Sequence, residues 1–142
     1  MSDIQLTFNS MPSVVAIYPR LLMGSKPALV PDGASVPAIE ARMDIVSTRP
    51  DKIAAYNKVC GFSDGDYLPI TYPHVLAMPL HLQILSHEAF PARVMGLVHI
   101  ENTISRYGPI PTSRVPPVAD GTHPRASGGN TRWYPATSTP FT

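Results

Sequence analysis

Three observations in the sequence predict an α+β domain. Ala41, Met43 and Ile45 alternate with Arg42 and Asp44, and Val98, Ile100, Asn102 and Ile104 alternate with Leu97, His99, Glu101 and Thr103; a period of two is the mark of a strand. Leu80, Leu82, Ile84 and Leu85 cover most of the circumference of a helix, as expected of one packed against a sheet rather than lying on a surface. Pro50 and Gly61 stand where a helix of residues 50–60 would begin and be capped. Strands and helices in this order suggest one helix lying against a sheet.

Taken in chain order, the first ten residues carry no pattern that assigns them. "SVVAIYPRLLM", residues 13–23, is apolar enough to pack, but Pro19 argues against an unbroken helix and against a central strand. A short helix or an extended segment is expected there. "GSKPALVPDGASVP" has three prolines and two glycines, the chemistry of a loop. In the helix of residues 50–60, Pro50 sits where its missing N–H costs least, and Ile53, Ala54, Tyr56, Asn57 and Cys60 follow. "SDGDYLP" reads as a turn. The next helix is expected to start near Pro79, because a proline inside it would cost about 3 kcal/mol; "TYPHVLAM" is then an extended lead-in, and Phe90-Pro91 is the stop.

With 142 residues the chain has room for one domain. Eleven basic and ten acidic residues give a formal charge of +1, and no run of Lys or Arg could neutralise a phosphate backbone, so nucleic acid is not an expected partner. No window reaches the roughly 18 uncharged apolar residues of a membrane span, and "MSDIQLTFNS" lacks the features of a signal peptide. A soluble, cytoplasmic protein without a membrane partner is expected. The single cysteine, Cys60 between Val59 and Gly61, reads as a small buried residue rather than a reactive thiol. Residues 107–142 contain seven Pro, four Gly and nine Ser or Thr, and no Leu, Met, Glu, Lys or Gln. This divides the chain into a domain over 1–106 and a tail over 107–142 expected to lack regular structure.

Three of the five histidines, His74, His81 and His87, fall within residues 71–90. On one continuous helix His74 and His81 would share a face but stand about 10.5 Å apart at ~1.5 Å rise per residue, too far for one ion. "HEAFP" begins like a zinc-binding helix, yet Pro91 occupies the place of the second histidine. No metal and no cofactor are expected. His81 reads as a hydrogen-bonded core or pocket-edge residue, and His87 beside Glu88 as a solvated helix end facing the dipole. His99 falls on the polar face of its strand, and His123 in the tail carries no argument. Asp64 and Asp66 form a carboxylate pair whose ordinary reading is the turn itself. Nucleophile elbows, phosphate-cradling glycine loops and cysteine motifs are absent from the sequence.

The phrases "YNKVCGF", "LPITYPHVLAMPLHL" and "GLVHIENTI", in this order, resemble the N-terminal half of MaoC-like acyl dehydratases, hot-dog-fold relatives of the (R)-specific enoyl-CoA hydratases. The resemblance covers roughly residues 40–110 and extends more faintly back to Met11. It implies a hot-dog fold, a curved antiparallel sheet around a central helix, and leaves open whether that fold is complete or incomplete here. It also implies a second hot-dog subunit, in a homodimer or heterodimer, and an acyl-CoA thioester in the groove between them. The implied chemistry is that of a lyase of fatty acid metabolism, the reversible addition of water to a 2-enoyl thioester. The residues expected to edge the acyl pocket are Tyr72, His74, Met78 and His81, at the entry to the hot-dog helix.

The chain departs from the family where the chemistry is carried. The family's D-x-N-x-x-H motif and following H-G have no counterpart, since none of the four asparagines is followed three positions later by histidine and no histidine by glycine. No catalytic residue is therefore assigned. Three expectations stay open: a non-catalytic subunit of a heteromeric hydratase, a truncated or frameshifted fragment of a longer enzyme that ends before a C-terminal unit, and a binding module for acyl thioesters.

Overall fold

The computed structural model describes residues 4–23, 25–27, 37–44, 46–95, 104–113, 118–122 and 134–135. In chain order these form β1 (Ile4–Phe8), α1 (Val14–Met23), β2 (Ile39–Met43), α2 (Pro50–Cys60), α3 (Tyr72–Ser86), β3 (Val118–Thr122) and β4 (Tyr134–Pro135). The strands make one sheet in the order β1-β2-β3-β4. The α+β class is as expected.

β1, which the sequence reading left unassigned, turns Ile4, Leu6 and Phe8 inward and Gln5 and Thr7 outward. Its period of two was present in the sequence but spans only five residues. β1 pairs with β2 in parallel, Ile4 against Ile39 and Phe8 against Met43. A parallel pair needs a crossover rather than a hairpin, and α1 lies in that connection. The other two pairings, β2 with β3 and β3 with β4, are antiparallel. The sheet is thus mixed, where the resemblance implied an antiparallel one. β3 falls within the segment expected to lack regular structure; its backbone runs beside β2, with Val118 opposite Met43. The strand expected around residues 97–104 lies outside the described residues, save for Ile104.

β2 shows the alternation read from the sequence, shifted slightly towards the N-terminus: Ile39, Ala41 and Met43 are buried, Glu40 and Arg42 exposed. The buried three meet Leu80 and Ile84 of α3, with Phe90 and Ala92 completing the cluster. α3 is longer than expected, because it starts at Tyr72 and carries Pro79 inside. "TYPHVLAM" is therefore helical rather than extended. Pro73, in the first turn, supplies the start that the sequence reading assigned to Pro79. The cost of the internal proline is outweighed by burial on both sides of it, at Ala77 and Leu80, each 0% exposed. α1 repeats the pattern: Pro19 lies within it, and Ile17 and Leu21 are buried.

α2 has the bounds read from the sequence, with Pro50 in its first turn. Gly61, at φ 75°, adopts the left-handed conformation, and the Phe62 N–H reaches back to the Asn57 carbonyl at 2.9 Å. This is a six-to-one C-terminal closure, and the accompanying apolar contact is Phe62 stacked on Tyr56 at 6.3 Å. A second core cluster joins α2 to the start of α3 through Ile53, Leu68 and Tyr72, with Tyr56, Leu76 and Ile110 against it. Tyr56 meets Tyr72 edge-on at 5.1 Å, and its hydroxyl shares a 2.7 Å hydrogen bond with Thr71 Oγ1. The segment "SDGDYLP" is tied down from the far side, where Leu68 N–H donates to Ile110 O and Thr112 N–H to Asp66 O, both at 2.8 Å.

Two substitutions test this packing. Leu80→Ala removes a fully buried side chain from the sheet-facing cluster and is expected to cost about 2–5 kcal/mol in urea unfolding, whereas Val75→Ala on the exposed side of α3 should change stability by less than about 0.5 kcal/mol. At Gly61 a Cβ would meet no atom within 4 Å, so any cost of Gly61→Ala is backbone strain alone. That cost is expected to be about 1 kcal/mol, and Gly61→Asn should recover part of it, because Asn tolerates the left-handed region better.

Candidate functional site

The four residues expected at an acyl pocket all lie on α3, and the helix separates them. At about 100° per residue, His74, Met78 and His81 fall within one narrow arc, while Tyr72 points to the opposite side. His74 is a helical residue, not part of a lead-in, and it is half-buried, as is His81. Met78 between them is 38% exposed. The three form a stripe along the flank of the buried face made by Ala77, Leu80 and Ile84. It offers two imidazoles and a thioether, groups that can hydrogen-bond and line an apolar chain.

Tyr72 is 5% exposed and belongs to the packing between α2 and α3. Burial raises the pKa of its phenol above the usual value, with the negative charge of Asp51 and the neighbouring Tyr56 adding to the effect. The unfolded chain ionises this phenol near pH ~10, and the folded chain only at higher pH. The stabilising contribution is therefore complete below about pH 10 and is lost as pH rises through the folded value. Thermal unfolding between about pH 8 and 11 should show a fall in Tm for the native chain that is shallower in Tyr72→Phe.

The stripe runs towards a notch of about 20 Å³ at the C-terminal end of α3, bordered by Leu85, Ala92 and Leu21 and by the cationic Arg20, Lys26 and Arg93. Lys26 Nζ donates to the His87 carbonyl. Its pKa is lowered by burial, an effect that the charge of Glu88 opposes. His87 differs from its expected role, for it is half-buried and its Nδ1 accepts a 3.1 Å hydrogen bond from the Ala89 N–H. Cys60, expected to be buried, is exposed: it shares the helical arc of the buried Ile53 and Asn57, but stands at the last residue of α2.

Asn57 is the residue the sequence reading passed over. It is 3% exposed, and its Nδ2 donates to Asp64 Oδ1 at 2.8 Å, while its Oδ1 has no hydrogen-bond partner among the described residues. It lines an open cleft of about 360 Å³ with Pro50, Ile53, Ala54, Asp64 and Thr112. The available signal was its position four residues after Ile53, on the inward stripe of α2, where an amide must find partners. Asp64 is thus more than a turn residue, since it holds that amide. Among the described residues no group of three or more His, Cys, Asp or Glu could hold a metal ion. No helix among them is long and apolar enough to cross a membrane.

This apolar helix against a mixed sheet, with a histidine-bearing stripe along its flank, is found in a chain whose sequence is similar to that of a thioester dehydratase. The relative is 3-hydroxyacyl-thioester dehydratase X of Mycobacterium tuberculosis (strain ATCC 25618 / H37Rv), 33% identical over 91 residues, which are 64% of this chain and 32% of that protein. The resemblance to MaoC-like acyl dehydratases read from the sequence is borne out by this likeness. The chain matches about a third of the length of that relative. No protein-family model matches the chain, and no solved structure matches it.

Proposed function

We propose that this chain is a hot-dog unit that helps to bind an acyl or enoyl thioester of coenzyme A for reversible hydration, without carrying the acid–base pair itself. The likeness to a 3-hydroxyacyl-thioester dehydratase carries the proposal as to substrate class. The sequence carries it as to role: D-x-N-x-x-H and the following H-G are absent. In water addition to a 2-enoyl thioester, a base must take a proton from water as its oxygen attacks C3, and an acid must deliver one to C2. With that motif absent, the histidines of α3 are assigned to positioning the thioester rather than to proton transfer.

In this reading His74, Met78 and His81 edge the path of the acyl chain, and Tyr72 supports that wall from behind by fixing α3 on α2. The cationic border of Arg20, Lys26 and Arg93 supports a ligand bearing phosphates, because cations near the mouth of a site draw in anions. The water-activating groups come from a second hot-dog unit, on a separate cytoplasmic chain or a longer one.

Hydration of crotonyl-CoA, followed by loss of enoyl absorbance, tests the assignment. The purified chain alone should show no turnover, and turnover should appear when a catalytic hot-dog subunit is added. An acyl-CoA should also raise the Tm of the chain, by a shift that grows with ligand concentration. Turnover by the chain alone would overturn the assigned role, and absence of both stabilisation and activity in the mixture would overturn the substrate class.

A further inference from the structure

The sequence contains three Asp-Gly pairs, Asp32-Gly33, Asp64-Gly65 and Asp120-Gly121. In such a pair the backbone nitrogen that follows the aspartate can reach its side-chain carboxyl, because glycine brings no side chain to crowd the nitrogen and leaves the backbone free to turn. Asp32-Gly33 falls outside the described residues. Asp120-Gly121 lies in β3, opposite Ala41 and Glu40, and in an extended strand the side chain stands off the plane in which the next N–H lies. Asp64-Gly65 is not held in this way. Both residues are exposed and belong to neither α2 nor α3, and among the described residues the Gly65 N–H makes no hydrogen bond. A Cβ placed on Gly65 would meet no atom within 4 Å, so the chain has room to turn there. One contact restrains Asp64: Asn57 Nδ2 donates to its Oδ1 at 2.8 Å. That bond must break before the carboxyl carbon can swing towards the Gly65 nitrogen.

We propose that the Asp64-Gly65 bond is a site of spontaneous isomerisation whose rate is set by the Asn57 amide. The Gly65 nitrogen attacks Cγ of Asp64 in its carboxylic acid form. The nitrogen loses its proton, a carboxyl oxygen leaves as water, and a five-membered succinimide closes. Water then adds to one of the two ring carbonyls. Addition at the backbone carbonyl of Asp64 breaks its bond to the Gly65 nitrogen and leaves Gly65 joined through Cγ, an isoaspartyl link of unchanged composition. The carboxylate now sits directly on Cα, and the main chain is one carbon longer. Asn57 Nδ2 thereby loses its acceptor. Asn57 is 3% exposed and its Oδ1 has no partner among the described residues, so the change strips this buried amide of its side-chain partner, a costly state. It also unties the residue 61–71 segment from α2. The contact that slows the reaction is removed by it. The site requires nothing of the thioester reading, and its test does not use acyl-CoA.

The full chain, kept for several weeks at physiological temperature and neutral pH, should accumulate isoaspartate at residue 64. Methyl transfer by a protein isoaspartate methyltransferase measures it, and fragmentation of the tryptic peptide of residues 59–93 locates it. Asp66 lies in the same peptide but precedes Tyr67, and should stay unmodified. Asn57→Ala should raise the rate at residue 64 about fivefold, as expected for the loss of one hydrogen bond. Leu80→Ala, which loosens the sheet-facing cluster without touching Asp64, should leave that rate unchanged. Gly65→Ala keeps the Asn57 contact and should lower the rate at least about fivefold with an unaltered far-ultraviolet spectrum. The isomerised chain, separated by ion exchange, should melt below the unmodified one. Absence of isoaspartate at residue 64, equal rates in the native chain and Asn57→Ala, or faster modification at Asp120 than at Asp64 would each overturn the proposal.

Discussion

The rest of the structure depends on the packing of α3 against β2. Ile39, Ala41 and Met43 present a face that alternates in depth, with small Ala41 at its middle, and Leu80 and Ile84 fill it from the helix side. β2 is also the strand on which both neighbours hang, β1 in parallel and β3 antiparallel. A loss at this contact would therefore loosen the sheet and the helix together. The tolerance of Pro79 inside α3 is explained by the same contact: one missing hydrogen bond is small beside the burial of Ala77, Leu80 and Ile84.

Among the described residues, a group of polar links around this contact lies near α2. The Asn57–Asp64 hydrogen bond, the Tyr56–Thr71 bond and the paired bonds from Leu68 and Thr112 hold the residue 61–71 segment between α2 and α3. The ion pairs Arg42–Asp44 and Arg49–Asp51 are exposed, each between residues two apart, and add little. The histidine stripe is thus carried on a helix fixed by apolar packing along one flank and by a compact polar joint at its start.

Much of this was legible in the sequence, and the misses share a cause. α2 could be read to the residue because its signals are local: a proline fixes its start, and a glycine with positive φ fixes its end. β2 could be read from alternation. α3 was misplaced because a proline penalty is a local rule, and burial by residues distant in sequence outweighed it. The parallel pairing of β1 with β2 was illegible for the same reason, since register and direction are decided by the crossover and not by either strand. At the site, Tyr72, His74 and Met78 were expected on an extended lead-in and His81 on the helix; all four lie on α3, where helical phase, hidden by sequence distance, sets Tyr72 apart from the other three. Asn57 was passed over because a buried amide resembles an ordinary helix residue until its partner, seven positions away, is seen.

Pro79 has one further consequence. It falls between the two core clusters, with Tyr72 and Leu76 on its N-terminal side joined to α2, and Leu80 and Ile84 on its C-terminal side joined to the sheet. The helix thus gives up its backbone link at the seam between the two. α3 is one continuous helix, yet the turns of Tyr72 and Leu76 pack in a different core cluster from the turns of Leu80 and Ile84. A ligand seated along the proposed stripe would touch turns anchored in both clusters, so its affinity would respond to packing changes in either one.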